Sequence, residues 1–236
     1  MNKQEIASYI NHTELAQQAK INSIILLCQE AIRNKFYSVC VAPCNVPIAV
    51  TELNGSDVKI CTVIGFPSGC TTAECKIFET TDAIKKGADE IDVVLNIGDI
   101  IDGRYSKVCV EIAEVVKAAK DAGTLLGKKV IVKTILETCL LDDEEIENAC
   151  LCAKKAGADY IKTSTGFANP KGIDGYSLPN GASAYHVKLI KDVVGDSMGI
   201  EANGGIRSAR SCMSMIEAGA TRIGTASGPS IVSNWR

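Results

Sequence analysis

Short apolar runs and longer amphipathic stretches alternate along the whole chain. The short runs, which are rich in Val and Ile, predict eight β-strands at residues 9–12, 38–42, 58–65, 90–96, 129–137, 159–163, 199–202 and 222–225. The amphipathic stretches predict helices at residues 21–35, 72–86, 104–122, 143–156, 182–194 and 208–218. Because strands that alternate with helices pair in parallel, the pattern predicts an α/β fold with a parallel sheet.

Three segments repeat one pattern, in which a helix end is followed by Gly-Ala, a polar residue and an apolar strand. Their glycines are Gly87, Gly157 and Gly219, and glycine suits the left-handed position that ends a helix. The spacing of about 60 to 70 residues fits two βα units of roughly 30 to 35 residues. We therefore predict eight units in a single-domain TIM (β/α)8 barrel over residues 1–236. An open doubly wound sheet is the alternative, but no Gly-x-Gly-x-x-Gly loop follows the first strand.

Composition narrows the class of function. The chain is 46% apolar and 22% charged, with a formal net charge of −3, so it offers no basic surface for nucleic acid and a small molecule is the expected partner. No apolar run approaches the ~18 residues of a membrane span, and the first residues contain no long apolar signal segment. We expect a cytoplasmic protein without membrane contact. The sequence leaves a homodimer or a higher homo-oligomer open.

Eleven cysteines would suggest a disulfide framework in a short secreted chain. Here many lie inside apolar runs, as Cys40, Cys61, Cys109 and Cys212 do, and nothing exports them to an oxidant. We expect reduced thiols that largely fill the core. Neither Cys-x-x-Cys nor His-Glu-x-x-His occurs, and the chain has two histidines. The sequence therefore predicts no metal site and no cofactor.

Lys162 ends the sixth predicted strand and is followed by a Thr-Ser-Thr-Gly loop. This position is poor for a surface charge and suits a buried amine nucleophile. An amine attacks a carbonyl only when it is neutral, and an ordinary lysine pKa of about 10.4 leaves very little neutral amine at pH 7. The alternative is a lysine at the barrel end that is paired with a carboxylate, such as Asp159 or Asp92.

Asp92 lies in the fourth predicted strand, between apolar neighbours. Alternation along a strand turns Asp92, Val94 and Asn96 to one face. If that face is the barrel interior, the Asp92 carboxylate points toward Lys162. Two roles stay open for it, because a buried carboxylate near an amine either shuttles protons or only neutralises the lysine.

Two loops rich in glycine and hydroxyl groups follow the seventh and eighth predicted strands. The first contains Gly204 and Gly205, and the second contains Thr225 and Ser227. TIM barrels commonly hold phosphate groups on these two loops, where backbone amides lie at helix N-termini. The sequence therefore predicts a phosphate site here.

These residues belong to motifs by which the chain resembles the deoxyribose-phosphate aldolases. That family comprises class I aldolases that cleave 2-deoxyribose 5-phosphate into glyceraldehyde 3-phosphate and acetaldehyde. The resemblance runs nearly end to end, and its specific parts include Thr62-Val63-Ile64-Gly65-Phe66-Pro67, Leu136-Glu137-Thr138, Lys162-Thr163-Ser164-Thr165-Gly166 and Gly204-Gly205-Ile206-Arg207. It implies a lyase of deoxyribonucleotide catabolism that acts on a phosphosugar.

The resemblance assigns a role to each matching position. It implies that Lys162 forms a Schiff base with the open-chain aldehyde. Asp92 then removes the C3 hydroxyl proton, directly or through a water molecule, while the imine accepts electrons. The residues expected to hold the phosphate are Thr165, Gly204, Gly205, Thr225 and Ser227.

The chain departs from the family pattern on the seventh strand. The family carries a second lysine there, in a Val-Lys-Ala-Ser-Gly-Gly-Ile-Arg-like run, and this chain has Glu201 at that position. A cation beside the Schiff-base lysine lowers its pKa, whereas a carboxylate raises it. If Glu201 faces Lys162, we expect weak activity near pH 7. The alternatives are a barrel that binds phosphosugars with little turnover and another phosphosugar lyase or isomerase.

Other departures accompany Glu201. The family has Asp before His-Thr on its first strand, where this chain has Asn11-His12-Thr13, so Asn11 and Thr13 are candidate supporting residues. Lys133 occupies the position of the family's strand-five lysine. If Lys133 pairs with Glu201, we expect the pKa of Lys162 to be less affected. The loop at residues 165–182 is longer than the family pattern leads us to expect, and it is a candidate cover for the substrate.

Overall fold

Eight parallel strands form a closed barrel in chain order in a computed structural model, which describes residues 1–171 and 176–235. Each strand pairs with the next, and the last pairs with the first. The strands are β1 (Ile10–Glu14), β2 (Ser38–Val41), β3 (Lys59–Ile64), β4 (Glu90–Val94), β5 (Ile131–Ile135), β6 (Tyr160–Lys162), β7 (Gly199–Asn203) and β8 (Arg222–Thr225). The predicted TIM barrel is confirmed, and the open doubly wound sheet is excluded.

Helices connect the strands and surround them. Those described are α1 (Lys3–Ala7), α2 (Ile21–Asn34), α3 (Val46–Glu52), α4 (Ala73–Lys85), α5 (Ile97–Ile101), α6 (Tyr105–Leu125), α7 (Asp143–Ala156), α8 (Ala184–Val194), α9 (Ala209–Glu217) and α10 (Gly228–Ser233). The six predicted helices correspond to α2, α4, α6, α7, α8 and α9. The other four span at most about two turns, too few to show the helical period of apolar residues.

Local capping explains where several helices begin and end. Thr72, Asp142 and Ser208 cap α4, α7 and α9, because the side-chain oxygen of each accepts a backbone N–H of the first turn. Gly157 ends α7 in the left-handed conformation, with a φ of 81°. Gly87 and Gly219 also have positive φ, at 119° and 117°. These three glycines turn the chain from a helix into the next strand, as their shared pattern predicted.

The two faces of the strands differ in chemistry. Residues such as Ile91 and Ile161 belong to the apolar core between the barrel and the helices. The alternate residues include many buried polar and charged side chains: Asn11, Ser38, Glu90, Asp92, Lys133, Lys162, Glu201 and Arg222. Because Asp92 on β4 contacts Lys162 on β6, which is not a neighbouring strand, these side chains meet inside the barrel.

The segment between β6 and α8 packs at its end against the loop after β7. The Ala182 N–H donates to the Gly204 carbonyl at 3.1 Å. A Cβ on Gly181 would lie 2.6 Å from the Gly204 backbone, so only glycine allows this approach. Residues 172–175 of the candidate cover lie outside the described residues. Among the described helices, none is long and apolar enough to cross a membrane.

Candidate active site

Lys162 is fully buried inside the barrel and lies between two carboxylates. Its Nζ is 2.6 Å from Asp92 Oδ2 and 3.3 Å from Glu201 Oε1. The strand register explains the second contact, because Lys162 on β6 is paired with Glu201 on β7. Asp92 reaches the amine from β4 across the barrel. The amine therefore has a proton acceptor on each side.

Lys133 is the second buried cation of this cluster. Its Nζ lies 2.7 Å from Glu201 Oε2, 2.7 Å from Glu90 Oε2 and 3.2 Å from Asp92 Oδ1. The two arrangements that the sequence offered for Glu201 occur together, since its carboxylate contacts both Lys162 and Lys133. Three carboxylates thus share two ammonium groups, and we call Glu90, Asp92, Lys133, Lys162 and Glu201 the charge cluster.

Asn11 supports the cluster from β1 without adding a charge. Its Nδ2 donates to Glu201 Oε1 at 3.1 Å, and its Oδ1 accepts from Ser38 Oγ at 2.8 Å. An aspartate at this position would place a further carboxylate beside Glu201, and like charges at that distance repel. The amide is therefore the side chain that fits next to Glu201.

Electrostatics fix the protonation of the cluster at rest. Burial alone lowers the pKa of Lys162, but the Asp92 and Glu201 charges outweigh it and raise that pKa well above the ordinary value. Burial likewise opposes the charge of Glu201, yet Lys133 and Lys162 lower its pKa to about 2. Lys162 is an ammonium at neutral pH and becomes a nucleophile only by giving up its proton. Asp92 is the nearest acceptor.

Two cysteines beside the cluster form, together with Asp92, a grouping with the chemistry of a metal site. The Cys40 and Cys61 sulfurs and an Asp92 oxygen lie within 4.8 Å of one another, and all three residues are buried. The sequence did not predict this grouping. Lys133 Nζ lies 3.6 Å from Cys61 Sγ as well as 3.2 Å from Asp92, so an ammonium already supplies the cation there. The grouping fits a lysine-filled site better than a metal centre.

A cleft of about 160 Å³ opens beside the cluster, at the ends of β6, β7 and β8. It is lined by Thr13, Thr165, Gly166, Asn203, Gly204, Gly205, Ile206, Arg207, Gly224, Thr225, Ala226 and Ser227. All five residues expected to hold a phosphate are among them, as is Thr13, whereas Asn11 lies deeper. Gly204 and Gly205 have positive φ, at 94° and 75°, which turns successive amides in the manner of an anion-binding nest.

The threonine hydroxyls of the cleft are already engaged. Thr225 Oγ1 donates to the Ile206 carbonyl at 2.6 Å. Thr165 Oγ1 donates to the Glu137 carboxylate, and the Thr165 N–H points to the same group at 3.2 Å. Thr13 Oγ1 likewise donates to the Asn11 carbonyl at 3.0 Å. The three threonines therefore shape the cleft walls, and their hydroxyl hydrogens are not free for a bound anion. The glycine amides are better placed as donors, and Arg207, which also lines the cleft, adds a positive charge.

Comparison with known proteins agrees with the barrel fold. A family model described as DeoC/LacD family aldolase matches residues 6–234. The chain belongs to this aldolase family. The resemblance found in the sequence is thereby confirmed, and the protein is an aldolase, a carbon–carbon lyase.

Several relatives of this aldolase are named deoxyribose-phosphate aldolase. A deoxyribose-phosphate aldolase of Caldanaerobacter subterraneus subsp. tengcongensis is 48% identical over 231 residues, which cover 98% of this chain and 94% of that protein. A deoxyribose-phosphate aldolase of Thermococcus kodakarensis is 48% identical over 234 residues, covering 98% and 97%. The tetrameric deoxyribose phosphate aldolase of Aeropyrum pernix has a TM-score of 0.85 at 30% identity, covering 98% and 91% of the two chains.

Several residues of this aldolase's site were not predicted from the sequence, among them Glu90 of the charge cluster, Arg207 and Glu137. Arg207 lines the cleft and is the cation directly after the Gly-Gly pair, a signal that was available. Glu137 has a left-handed backbone (φ 57°) and a buried carboxylate that holds Thr165. A left-handed glutamate is rare, and nothing in a single sequence reveals it.

Proposed function

We propose that this protein is a deoxyribose-phosphate aldolase, which reversibly cleaves 2-deoxy-D-ribose 5-phosphate to D-glyceraldehyde 3-phosphate and acetaldehyde. The observation that carries the proposal is the fully buried Lys162 amine, held between two carboxylates beside an anion-binding cleft. Relatives of that name, 48% identical over nearly the whole chain, support the choice of substrate.

The first step needs a neutral amine at Lys162. The proton passes from Nζ to Asp92, whose Oδ2 is 2.6 Å away. The amine then adds to the C1 carbonyl of the open-chain sugar. Asp92 returns the proton to the C1 hydroxyl, which leaves as water, and a protonated Schiff base remains.

The second step breaks the bond between C2 and C3. Asp92, ionised again, accepts the C3 hydroxyl proton directly or through a water molecule, and C3 becomes the aldehyde carbon of glyceraldehyde 3-phosphate. The electron pair of the broken bond moves onto the iminium, which becomes an enamine. Protonation of the enamine at C2 and hydrolysis of the imine release acetaldehyde and restore the Lys162 amine.

Glu201 stabilises two positively charged states of this pathway, with opposite effects on the reaction rate. It stabilises the Lys162 ammonium and so reduces the amount of nucleophile. The protonated Schiff base carries the same positive charge in the same place, so Glu201 at 3.3 Å stabilises that intermediate too. Lys133, which lies 2.7 Å from Glu201, limits both effects. With Glu201 in place of the family's second lysine, the first step is therefore slower and the protonated Schiff base is more stable.

The phosphate of the substrate lies in the cleft in this proposal. The sugar chain extends from Lys162 toward Gly204 and Gly205, and the loop amides and Arg207 donate to the phosphate oxygens. Thr225 and Ser227 complete the opposite wall, where the Ser227 N–H donates to Thr225 Oγ1 at 2.9 Å. Thr165 closes the third side through its bond to Glu137.

Product analysis tests the proposed function directly. Incubation with 2-deoxyribose 5-phosphate should release acetaldehyde and glyceraldehyde 3-phosphate in equal amounts, each measured with a coupled dehydrogenase. Unphosphorylated deoxyribose should be cleaved far more slowly, because it forfeits the binding energy of the cleft. A protein that binds the phosphosugar but releases neither product at any pH would instead be the binding barrel considered as an alternative.

Charge in the cleft provides a second prediction. Gly205→Asp should weaken binding of the phosphosugar and of inorganic phosphate by about tenfold to a hundredfold, because a carboxylate repels the anion in a partly desolvated site. Binding is measured by calorimetry and by the inhibition constant of phosphate.

Gly205→Asn is the matched control for this variant. It has the same size, and both Asn and Asp tolerate the positive φ of this position, so the two differ only in charge. Apart from its two chain neighbours, no residue of the described ranges comes closer than 3.9 Å to a Cβ there, which leaves room for either side chain. Equal loss in both variants would remove the electrostatic argument for a phosphate at Gly205.

We also propose that residues 1–236 form a single domain and that the protein is a cytoplasmic homo-oligomer. All eleven cysteines are free in the structure, which supports a reducing compartment. The tetrameric relative from Aeropyrum pernix supports an oligomer. Light scattering of the purified protein measures its state of assembly.

A further inference from the structure

Glu90 is a buried carboxylate to which the proposed mechanism gives no step. It lies two residues before Asp92 on β4, so its side chain points into the barrel on the same face, one layer nearer the N-terminal end. The residue is 1% exposed. Its Oε2 lies 2.7 Å from Lys133 Nζ. An ionised group that is buried this deeply is costly unless its partners compensate it.

Titratable groups surround Glu90 from four strands or their ends. Lys133 faces it from β5, Arg222 from β8, and the Tyr37 phenol from the residue before β2. The Arg222 guanidinium lies 3.2 Å from the centroid of the Tyr37 ring. Burial opposes the charge of Arg222, while Glu90 raises the pKa of that guanidinium. Cys61 on β3 is paired in register with Glu90. Tyr160 on β6 reaches the same region, since its hydroxyl accepts from Arg222 Nη2 at 3.3 Å.

Charges therefore alternate along the barrel interior. Arg222 is followed by Glu90, then by Lys133, then by Asp92 and Glu201, and finally by Lys162. Lys133 occupies the middle of this series, with Glu90 on one side and the two carboxylates that hold Lys162 on the other. The positive charge of Lys133 is shared between the two sides. The part of the Lys133 charge that neutralises Glu90 is not available to neutralise Asp92 and Glu201.

We infer that Glu90 is a positioning residue for the Schiff-base lysine: by holding Lys133, it sets how strongly Asp92 and Glu201 keep Lys162 in its ammonium form. The inference rests on the proposed function, since it gives Lys162 the role of nucleophile. Glu90 touches no reacting atom in this mechanism. It acts through its hold on Lys133 and through the negative charge that it adds to the cluster.

Glu90→Gln should shift the alkaline limb of imine formation to lower pH. The variant removes one negative charge from the cluster, and it also releases Lys133 toward Asp92 and Glu201. Both changes favour the neutral Lys162 amine, so the alkaline limb moves to lower pH whichever change is larger. A charge in contact moves a pKa by about one to three units, and Glu90 acts at one remove. We expect a shift of about one pH unit, or about tenfold faster imine formation at pH 7.

The experiment measures how fast acetaldehyde is trapped on the intact protein by cyanoborohydride, across a series of pH values and by mass. This reaction uses no phosphosugar. If 2-deoxyribose 5-phosphate is not the substrate, the pH dependence of labelling still tests the role of Glu90. Failure to label wild-type Lys162 would instead reject the proposed function itself. The wild type and Glu90→Gln are compared at equal protein and aldehyde concentration, after circular dichroism shows that both are folded.

Two further variants keep the inference open to refutation if Glu90→Gln does not fold. Arg222→Gln removes the other cation that Glu90 faces, so Glu90 should hold Lys133 more tightly and the limb should move to higher pH. Glu90→Asp keeps the charge but shortens the side chain by one methylene, so its limb should lie between those of the wild type and Glu90→Gln. Unchanged limbs in the variants that fold, or a shift of Glu90→Gln to higher pH, would overturn the inference.

Discussion

Borohydride reduction in the presence of acetaldehyde is expected to add a single ethyl group to the protein, at Lys162. Its amine lies in the barrel beside a proton acceptor, which is what imine formation requires. Lys162→Arg should abolish the adduct, because a guanidinium stays protonated and does not attack carbonyls. Cleavage of 2-deoxyribose 5-phosphate should then fall on the order of 10⁴-fold or more. Intact mass and peptide mapping measure the adduct.

Lys76 provides the control for this labelling. It is also fully buried and paired with a carboxylate, Glu111, at 2.6 Å, but it lies on α4 in the outer layer. If burial and a carboxylate partner were sufficient, both lysines would be labelled. We expect no adduct on Lys76 and no effect of Lys76→Arg on the labelling of Lys162. An adduct on Lys133 would show that the wrong lysine of the charge cluster was chosen.

The fold was predictable because its signal is repeated eight times. Each strand is apolar on the side that packs against the helices. Each repeat of this pattern therefore strengthens the assignment of the other strands. Boundaries were less accurate where the backbone leaves the extended conformation without a glycine or proline to mark the change. Residues 129–137 were predicted as one strand, but β5 is Ile131–Ile135, since Glu137 takes a left-handed backbone to bring its carboxylate to Thr165.

The candidate site was predictable only in part. Alternation along β4 assigned Asp92 to one face. The position of Lys162 at the end of a strand marked it as a candidate nucleophile, and the family resemblance gave it the Schiff-base role. The distances among the charge cluster depend on contacts across the barrel, which no single strand reveals. For this reason the sequence offered two partners for Glu201 as alternatives, and the structure contains both. Likewise, Glu90 appeared as an ordinary polar residue at the start of a strand.

The charge of Glu201 should also be measurable as stability. Its pKa is lowered to about 2 in the folded protein from an ordinary value near 4.5. A lowered carboxyl pKa stabilises the fold at pH values above the unfolded pKa, and this stabilisation is lost as the pH falls toward 2. At pH 7 it is fully present and is on the order of a few kcal/mol. Glu201→Gln should lower the free energy of unfolding in urea by about this amount at pH 7, with a smaller difference at pH 3.

The same substitution, although it destabilises the fold, should increase the fraction of Lys162 that is a neutral amine. Glu201→Gln removes a carboxylate that lies 3.3 Å from the Lys162 amine, but the amide keeps an acceptor for Asn11 and Lys133. An opposite charge at this distance raises a lysine pKa by about one to three units. Wild-type activity should therefore rise toward alkaline pH, and the limb of Glu201→Gln should lie about one to three units lower.

The expected gain in neutral Lys162 at pH 7 is about tenfold to a thousandfold. Turnover should gain less, because the variant also loses the charge that stabilises the protonated Schiff base. Glu201→Lys should move the limb further, though it gathers three lysines around Asp92 and Glu90, and urea unfolding shows whether the barrel withstands this. The control is Glu201→Asp, which keeps the charge and should keep the alkaline limb near that of the wild type. The decisive measurement is the pH–rate profile of the three variants and the wild type, and coincident limbs in Glu201→Gln and the wild type would mean that Lys133 alone neutralises Glu201.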